Sequence, residues 1–137
     1  MAGTVESEIR VPIRSDADII AARQNGRSLA AKMGFTGSDL TILATAISEV
    51  ARNIVEYAGQ GEMLFKFVQQ GSKCGIAVVA RDEGPGIRDV SRAMQDGYST
   101  GRGLGLGLPG ARRLMDEFEI SSRIGRGTTV IMKKWMR

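Results

Sequence analysis

No histidine occurs anywhere in the 137 residues, so there is no imidazole for a zinc site, a Ser-His-Asp triad or a His-based proton relay. Cysteine occurs once, at Cys74, which excludes an internal disulfide. Aromatic residues make up 5%, and the 19 Lys and Arg are scattered along the chain. The stacking platform and basic stripe of a nucleic-acid-binding protein are therefore missing, and no nucleic-acid partner is expected. The longest uninterrupted apolar run, Ile76 to Ala80, is five residues, far short of the ~20 needed to span a bilayer. The N-terminus carries no basic-then-apolar signal pattern, so the expectation is a soluble, cytoplasmic protein without a membrane association. No Lys follows a Gly, which removes the P-loop and with it the commonest way of binding nucleotides.

What is present is an ordinary globular composition, with 42% hydrophobic and 25% charged residues, over a length that fits one domain spanning residues 1–137. The net charge of +4 and pI of about 9.6 suit attraction of a nucleoside triphosphate or an acidic protein. Glycine is the excess: 18 residues, roughly twice the usual ~7%. These glycines crowd into Gly84 to Gly86, Gly97 to Gly110 and Gly125 to Gly127 without a fixed period, which marks functional loops.

Glu6 to Ile13 alternates as a short strand, and Pro12 makes it an edge strand. Ser15 or Asp16 begins a helix in which Ile19, Ile20, Arg23, Arg27, Leu29, Ala30 and Met33 fall at helical spacing, ending at Gly34. A second helix starts at Ser38 or Asp39 and runs to Ala58–Gly59, with Leu40, Leu43, Ile47, Val50, Ile54 and Ala58 on the core side. Met63–Gln70 and Lys73–Arg81 form a hairpin about Gly71 and Ser72. A short helix over Asp89–Met94 and a mobile, Gly-rich lid over Asp96–Leu106 follow. Leu108, Ala111, Leu114, Met115 and Phe118 then return to helical spacing, with Pro109 in the first turn, where its missing N–H costs nothing. Strands near Phe118–Arg123 and Thr128–Trp135 close the chain. The pattern predicts an α+β, two-layer α/β sandwich: a mixed, largely antiparallel sheet covered on one face by about three helices.

Three elements have chemical potential. Glu49 and Asn53 are four apart on one helix face, where an amide oxygen can ligate Mg²⁺ and a carboxylate can take a proton; the same spacing also describes a solvated helix face, and Arg52 can neutralise Glu49. Asp82-Glu83-Gly84-Pro85-Gly86 sets a carboxylate at a strand end beside glycines that admit a flat ligand, or is a plain strand-ending turn. Gly105-Leu106-Gly107-Leu108-Pro109-Gly110 matches G-x-G-x-x-G, but it follows a loop and has no acid about 20 residues on, which excludes a dinucleotide site. It remains either a phosphate-binding lid at a helix N-terminus or a flexible surface loop.

Taken in order, Glu49-Val50-Ala51-Arg52-Asn53, Asp82-Glu83-Gly84-Pro85-Gly86-Ile87, Gly101-Arg102-Gly103-Leu104-Gly105-Leu106-Gly107-Leu108 and Gly125-Arg126-Gly127-Thr128-Thr129 resemble the N box, the two glycine boxes and the closing Gly-x-Gly-Thr of the GHKL (Bergerat-fold) ATPases. Ala21-Ala22-Arg23, Ser48-Glu49-Val50-Ala51-Arg52-Asn53-Ile54 and the tail Lys134-Trp135-Met136-Arg137 look like the RsbT-type serine/threonine kinases of the bacterial stressosome. The related anti-sigma factor kinases share these boxes, although many carry a His where this chain has Glu56-Tyr57.

This resemblance implies ATP and Mg²⁺ as cofactors. Asp82 would accept a hydrogen bond from the adenine amine with Thr128 supporting that end, Gly84 and Gly86 would line the adenine, and Asn53 would hold Mg²⁺. Gly103, Gly105, Leu106 and Gly107 would wrap the phosphates, Arg102 would contact the γ-phosphate, and Glu49 would accept the proton of an incoming Ser or Thr hydroxyl. Positioning and charge neutralisation suffice for such a phosphoryl transfer. The resemblance further implies STAS-domain proteins as substrates and scaffold, and a PP2C-type phosphatase or similar effector bound after release. The competing expectations are an anti-sigma-like nucleotide-binding switch that acts by sequestration and an isolated ATP-hydrolysing module.

Overall fold

Apolar side chains crowd the middle of β2 (Gly61–Gln70), where Met63, Leu64 and Phe65 are buried in succession, and fill β3 (Lys73–Asp82) from Ile76 to Val78, as central strands require. The computed structural model describes residues 8–87, Met94 and residues 107–136. β2 and β3 pair antiparallel from Gly61↔Asp82 to Gln70↔Lys73, so Gly71 and Ser72 form a two-residue hairpin loop, as the sequence predicts.

The remaining elements are β1 (Ile9–Ile13), α1 (Asp16–Met33), α2 (Ser38–Tyr57), α3 (Gly107–Leu114), β4 (Glu117–Arg123) and β5 (Gly127–Trp135). The strand order is β1-β2-β3-β5-β4, and all four pairings are antiparallel. The predicted two-layer α+β architecture is present, with a sheet more uniform than the mixed one anticipated. β1 is an edge strand whose Pro12 lies opposite Glu62. Several boundaries differ: β2 starts at Gly61 rather than Met63, β3 ends at Asp82 rather than Arg81, and the last helix ends at Leu114. β1 starts at Ile9, with Glu6 outside the described residues. Phe118 belongs to β4, opposite Met132, because helical spacing and strand alternation coincide for a single residue at an element junction. The predicted helix over Asp89–Met94 and the lid over Asp96–Leu106 lie outside the described residues, Met94 excepted.

The helices bury their apolar stripes on one sheet face. Leu43, Ile47, Val50 and Ile54 of α2 join Ile19, Leu29 and Ala30 of α1 in a core completed by Ile13, Met63, Phe65, Ile76, Val78, Val130 and Met132. Ile20, Arg23 and Arg27 share the helical spacing of α1 but face outward. The two helices touch at Gly26, where a Cβ would run into Ile47 Cδ1 and stand 3.0 Å from the Phe65 ring. Gly26→Val is therefore expected to cost about 1–3 kcal/mol of stability by overpacking, measured as a lowered urea midpoint at unchanged m-value.

The C-terminal tail is tied down by polar contacts. Trp135 donates its ring N–H to Glu117 at 2.8 Å and its backbone N–H to Asp116 at 2.8 Å. Lys134 is buried on the core face with Asp39 of α2 at 3.9 Å.

Candidate functional site

The helical stripe of α2 places Glu49 just beside the core side chains, so its carboxylate is carried inward and left only 4% exposed. The buried charge is met from two directions. Glu49 Oε1 accepts the N–H of Gly107 at 3.1 Å, and Arg52 Nη1 stands 3.8 Å from Oε2. Gly107 is the first residue of α3, where N–H groups lack partners within the helix and the dipole favours negative charge. Asn53 follows one turn along α2 and is half-buried. The solvated-face reading of Glu49 is thereby excluded.

Toward the C-terminal end of α2, where Gly84 abuts Ala58, Asp82 closes β3. Its Oδ1 accepts the N–H of Gly84 at 2.9 Å and that of Thr128 at 3.3 Å, and neither bond uses Oδ2. Thr128 is buried, with Oγ1 2.8 Å from Ser122 Oγ. Ser122 Oγ also accepts the N–H of Ile87 at 2.7 Å and lies 3.2 Å from the Gly127 carbonyl. A hydroxyl has one proton, so Ser122 donates to Gly127 and Thr128 donates to Ser122. This chain of bonds fixes the turn after Asp82 to the β4–β5 turn, and Gly125 N–H to the Pro85 carbonyl at 2.8 Å adds a further tie.

Two glycines make the close approach possible. Gly86 has φ +81°, and a Cβ there would collide with the Arg123 carbonyl; Gly127 has φ +107°, and a Cβ there would strike the Asp82 carbonyl. Both need the left-handed region and the missing side chain. The predicted Gly84 abuts Ala58 at the end of α2, where a Cβ would come within 2.6 Å of the Ala58 Cβ.

The structure thus brings the predicted residues into two groups, Glu49 of α2 with Gly107, one turn from Asn53, and Asp82 with Gly84 and Thr128 beside Gly86. From Glu49 to Ala58 α2 rises about 14 Å at ~1.5 Å per residue, a span that suits an extended nucleotide lying along it. Arg102, Gly103, Gly105 and Leu106 are outside the described residues. Ser122 was not anticipated. The signal for it lies in register alone: the antiparallel pair Ser122↔Thr128 puts both hydroxyls on the core face, and no motif in β4 marks it. Among the described residues no group of three or more acidic, His or Cys side chains forms a metal cage.

An antiparallel five-stranded sheet under three helices among the described residues, with a buried carboxylate on α2, is the architecture that the GHKL resemblance implies. Comparison with known proteins agrees. The family described as the Histidine kinase-like ATPase domain matches residues 14–134. Serine/threonine-protein kinase RsbT of Bacillus subtilis (strain 168) is 49% identical over 127 residues, 93% of this chain and 96% of that protein. An Anti-sigma F factor of Thermoanaerobacter sp. (strain X514) is 32% identical over 121 residues, 84% of this chain and 83% of the relative. Among solved structures, the Mycobacterial sensor histidine kinase MprB superposes with a TM-score of 0.55 at 17% identity, covering 94% of this chain and 99% of that one, a likeness of fold. The chain belongs to the Histidine kinase-like ATPase domain family and, within it, to the RsbT-type serine/threonine-protein kinases. It is a protein serine/threonine kinase of a family that uses ATP.

Proposed function

We propose that this kinase phosphorylates a Ser or Thr hydroxyl on STAS-domain regulatory proteins in the cytoplasm and, once released from them, binds and activates a PP2C-type phosphatase or a similar effector. The observation that carries this reading is the buried Glu49 carboxylate, held at the start of α3 one turn from Asn53. In the transfer, the acceptor oxygen bonds to the γ-phosphorus, the bond to the bridging oxygen breaks and ADP leaves. Glu49 takes the hydroxyl proton. Asp82 accepts the adenine amine through the oxygen not used by Gly84 and Thr128, Gly84 and Gly86 line the base, and Thr128 supports that end.

The donor set suits a Mg²⁺ bound mainly by substrate phosphates, which needs one or two protein oxygens rather than a cage; Asn53 supplies one. When bound, the ion neutralises phosphate charge. Gly107, with its amide donated to Glu49, and Arg102, Gly103, Gly105 and Leu106 are assigned to the phosphates on the sequence resemblance.

Identity with Anti-sigma F factor proteins favours a second reading, a nucleotide-dependent switch acting by sequestration. Intact-mass spectrometry of a STAS-domain protein from the same organism, after incubation with the chain and Mg-ATP, separates the two. One added phosphate is expected. A complex that forms but gains no phosphate over hours counts against the kinase role toward that partner and leaves sequestration in the lead. Among the described residues no helix is long and apolar enough to cross a membrane.

A further inference from the structure

The ion pair between Glu49 and Arg52 is lopsided. The glutamate side chain is 3% exposed, whereas the arginine is 26% exposed. A pair with both ends in water contributes little, but a carboxylate buried this deeply needs compensation at both oxygens. The two donors come from different elements. Gly107 N–H donates to Oε1 from the start of α3, and the Arg52 guanidinium stands beside Oε2 from the next turn of α2, at 3.8 Å an ion pair without a hydrogen bond. A glutamate bonded at one oxygen still turns about its last, broad torsion; a cation beside the other oxygen biases that torsion toward one carboxylate plane.

Glu49 and Arg52 also line a groove of about 620 Å³ between α1 and α2, together with Ile20, Arg23, Arg27 and Thr45. Glu49 is the lone acid among the groove's lining residues. The groove therefore leads from solvent to the carboxylate, past three guanidinium groups.

We propose that Arg52 is a positioning residue for phosphoryl transfer: by attracting Glu49 Oε2 while the first amide of α3 bonds Oε1, it aims the carboxylate at a hydroxyl presented through the α1–α2 groove. The proposal rests on the reading of Glu49 as proton acceptor. Arg52 itself forms no bond to the reacting atoms. Its effect passes through Glu49, and two measurements isolate that path.

The first needs no substrate. In amide NMR spectra of the full chain, Glu49→Ala marks the position of a Gly107 amide that has lost its acceptor. Arg52→Gln is expected to move the Gly107 resonance most of the way to that position, and Arg52→Lys to restore it, because a cation at this place is what matters. A Gly107 resonance that stays at its unmodified position in Arg52→Gln, while Glu49→Ala moves it, overturns the proposal.

The second is steady-state transfer to a STAS-domain protein of the same organism. Arg52→Gln lowers kcat about tenfold, the scale of a misaimed catalytic group, with KM for ATP changed by less than about twofold. In a Glu49→Gln background the same change costs nothing further, since the two residues act as one unit. An equal loss in both backgrounds, or a raised KM for ATP at constant kcat, refutes the positioning role. If the unmodified chain transfers nothing to the STAS-domain protein, the kinase reading fails for that acceptor, and the Gly107 resonance alone decides the role of Arg52.

Discussion

Replacing Glu49 by Gln is expected to lower the rate of phosphoryl transfer by about 10³-fold, within the range lost when a general base is removed, while leaving ATP affinity nearly unchanged. The substitution is nearly isosteric. Gln keeps a carbonyl oxygen for the Gly107 N–H that Glu49 Oε1 now accepts at 3.1 Å, so the start of α3 stays attached to α2. What is lost is the capacity to take a proton. Single-turnover transfer from Mg-ATP to a STAS-domain protein, measured beside equilibrium binding of a fluorescent ATP analogue, separates the two effects. Transfer that persists in the variant within about tenfold would assign the proton to another group, since positioning and electrostatics alone sustain part of a phosphoryl transfer. Unchanged regulation of the partner in Glu49→Gln, with transfer abolished, would favour sequestration as the working mode.

The second large effect is expected at Asp82, on binding rather than on rate. Asp82→Asn keeps Oδ1 available to the N–H groups of Gly84 and Thr128, so the turn and the sheet end remain in place. The other oxygen becomes an NH₂, and two donors then face each other where the adenine amine is proposed to bind. An unpaired polar contact in a desolvated site costs roughly 1–3 kcal/mol, so ATP affinity is expected to fall about 10- to 100-fold while the melting temperature without nucleotide moves by no more than a few degrees. Titration calorimetry with ATP and with a purine triphosphate lacking the exocyclic amine tests the assignment. The variant should lose its preference for the amine-bearing base. An unchanged preference would remove Asp82 from base recognition and leave it as a strand-end cap.

These two residues show how much is legible along the chain. The periodicity of α2 and the apolar-rich stretches of β2 and β3 are local properties, readable in spacing and residue type, and they suffice to put Glu49 beside a core stripe and Asp82 at a strand end. The four glycine- and acid-bearing boxes in order carry the GHKL resemblance, and the matched family and the relatives bear it out. Boundaries are less legible: Phe118 satisfies both a helical and a strand pattern, and its pairing with Met132 decides between them.

The sequence by itself determined the α+β class and the positions of the first two helices and the hairpin, because each of these follows from short-range spacing and residue type. Only the tertiary structure decided that Glu49 is buried instead of solvated, that it meets the amide of Gly107 across 58 positions of chain, and that Ser122 completes the bonding around Thr128. Those facts depend on strand register and on which faces of α2 and α3 meet. Register follows from the summed packing of the whole core, because a slip of one residue would turn every side chain of a strand to the opposite face, and no local window of sequence contains that sum.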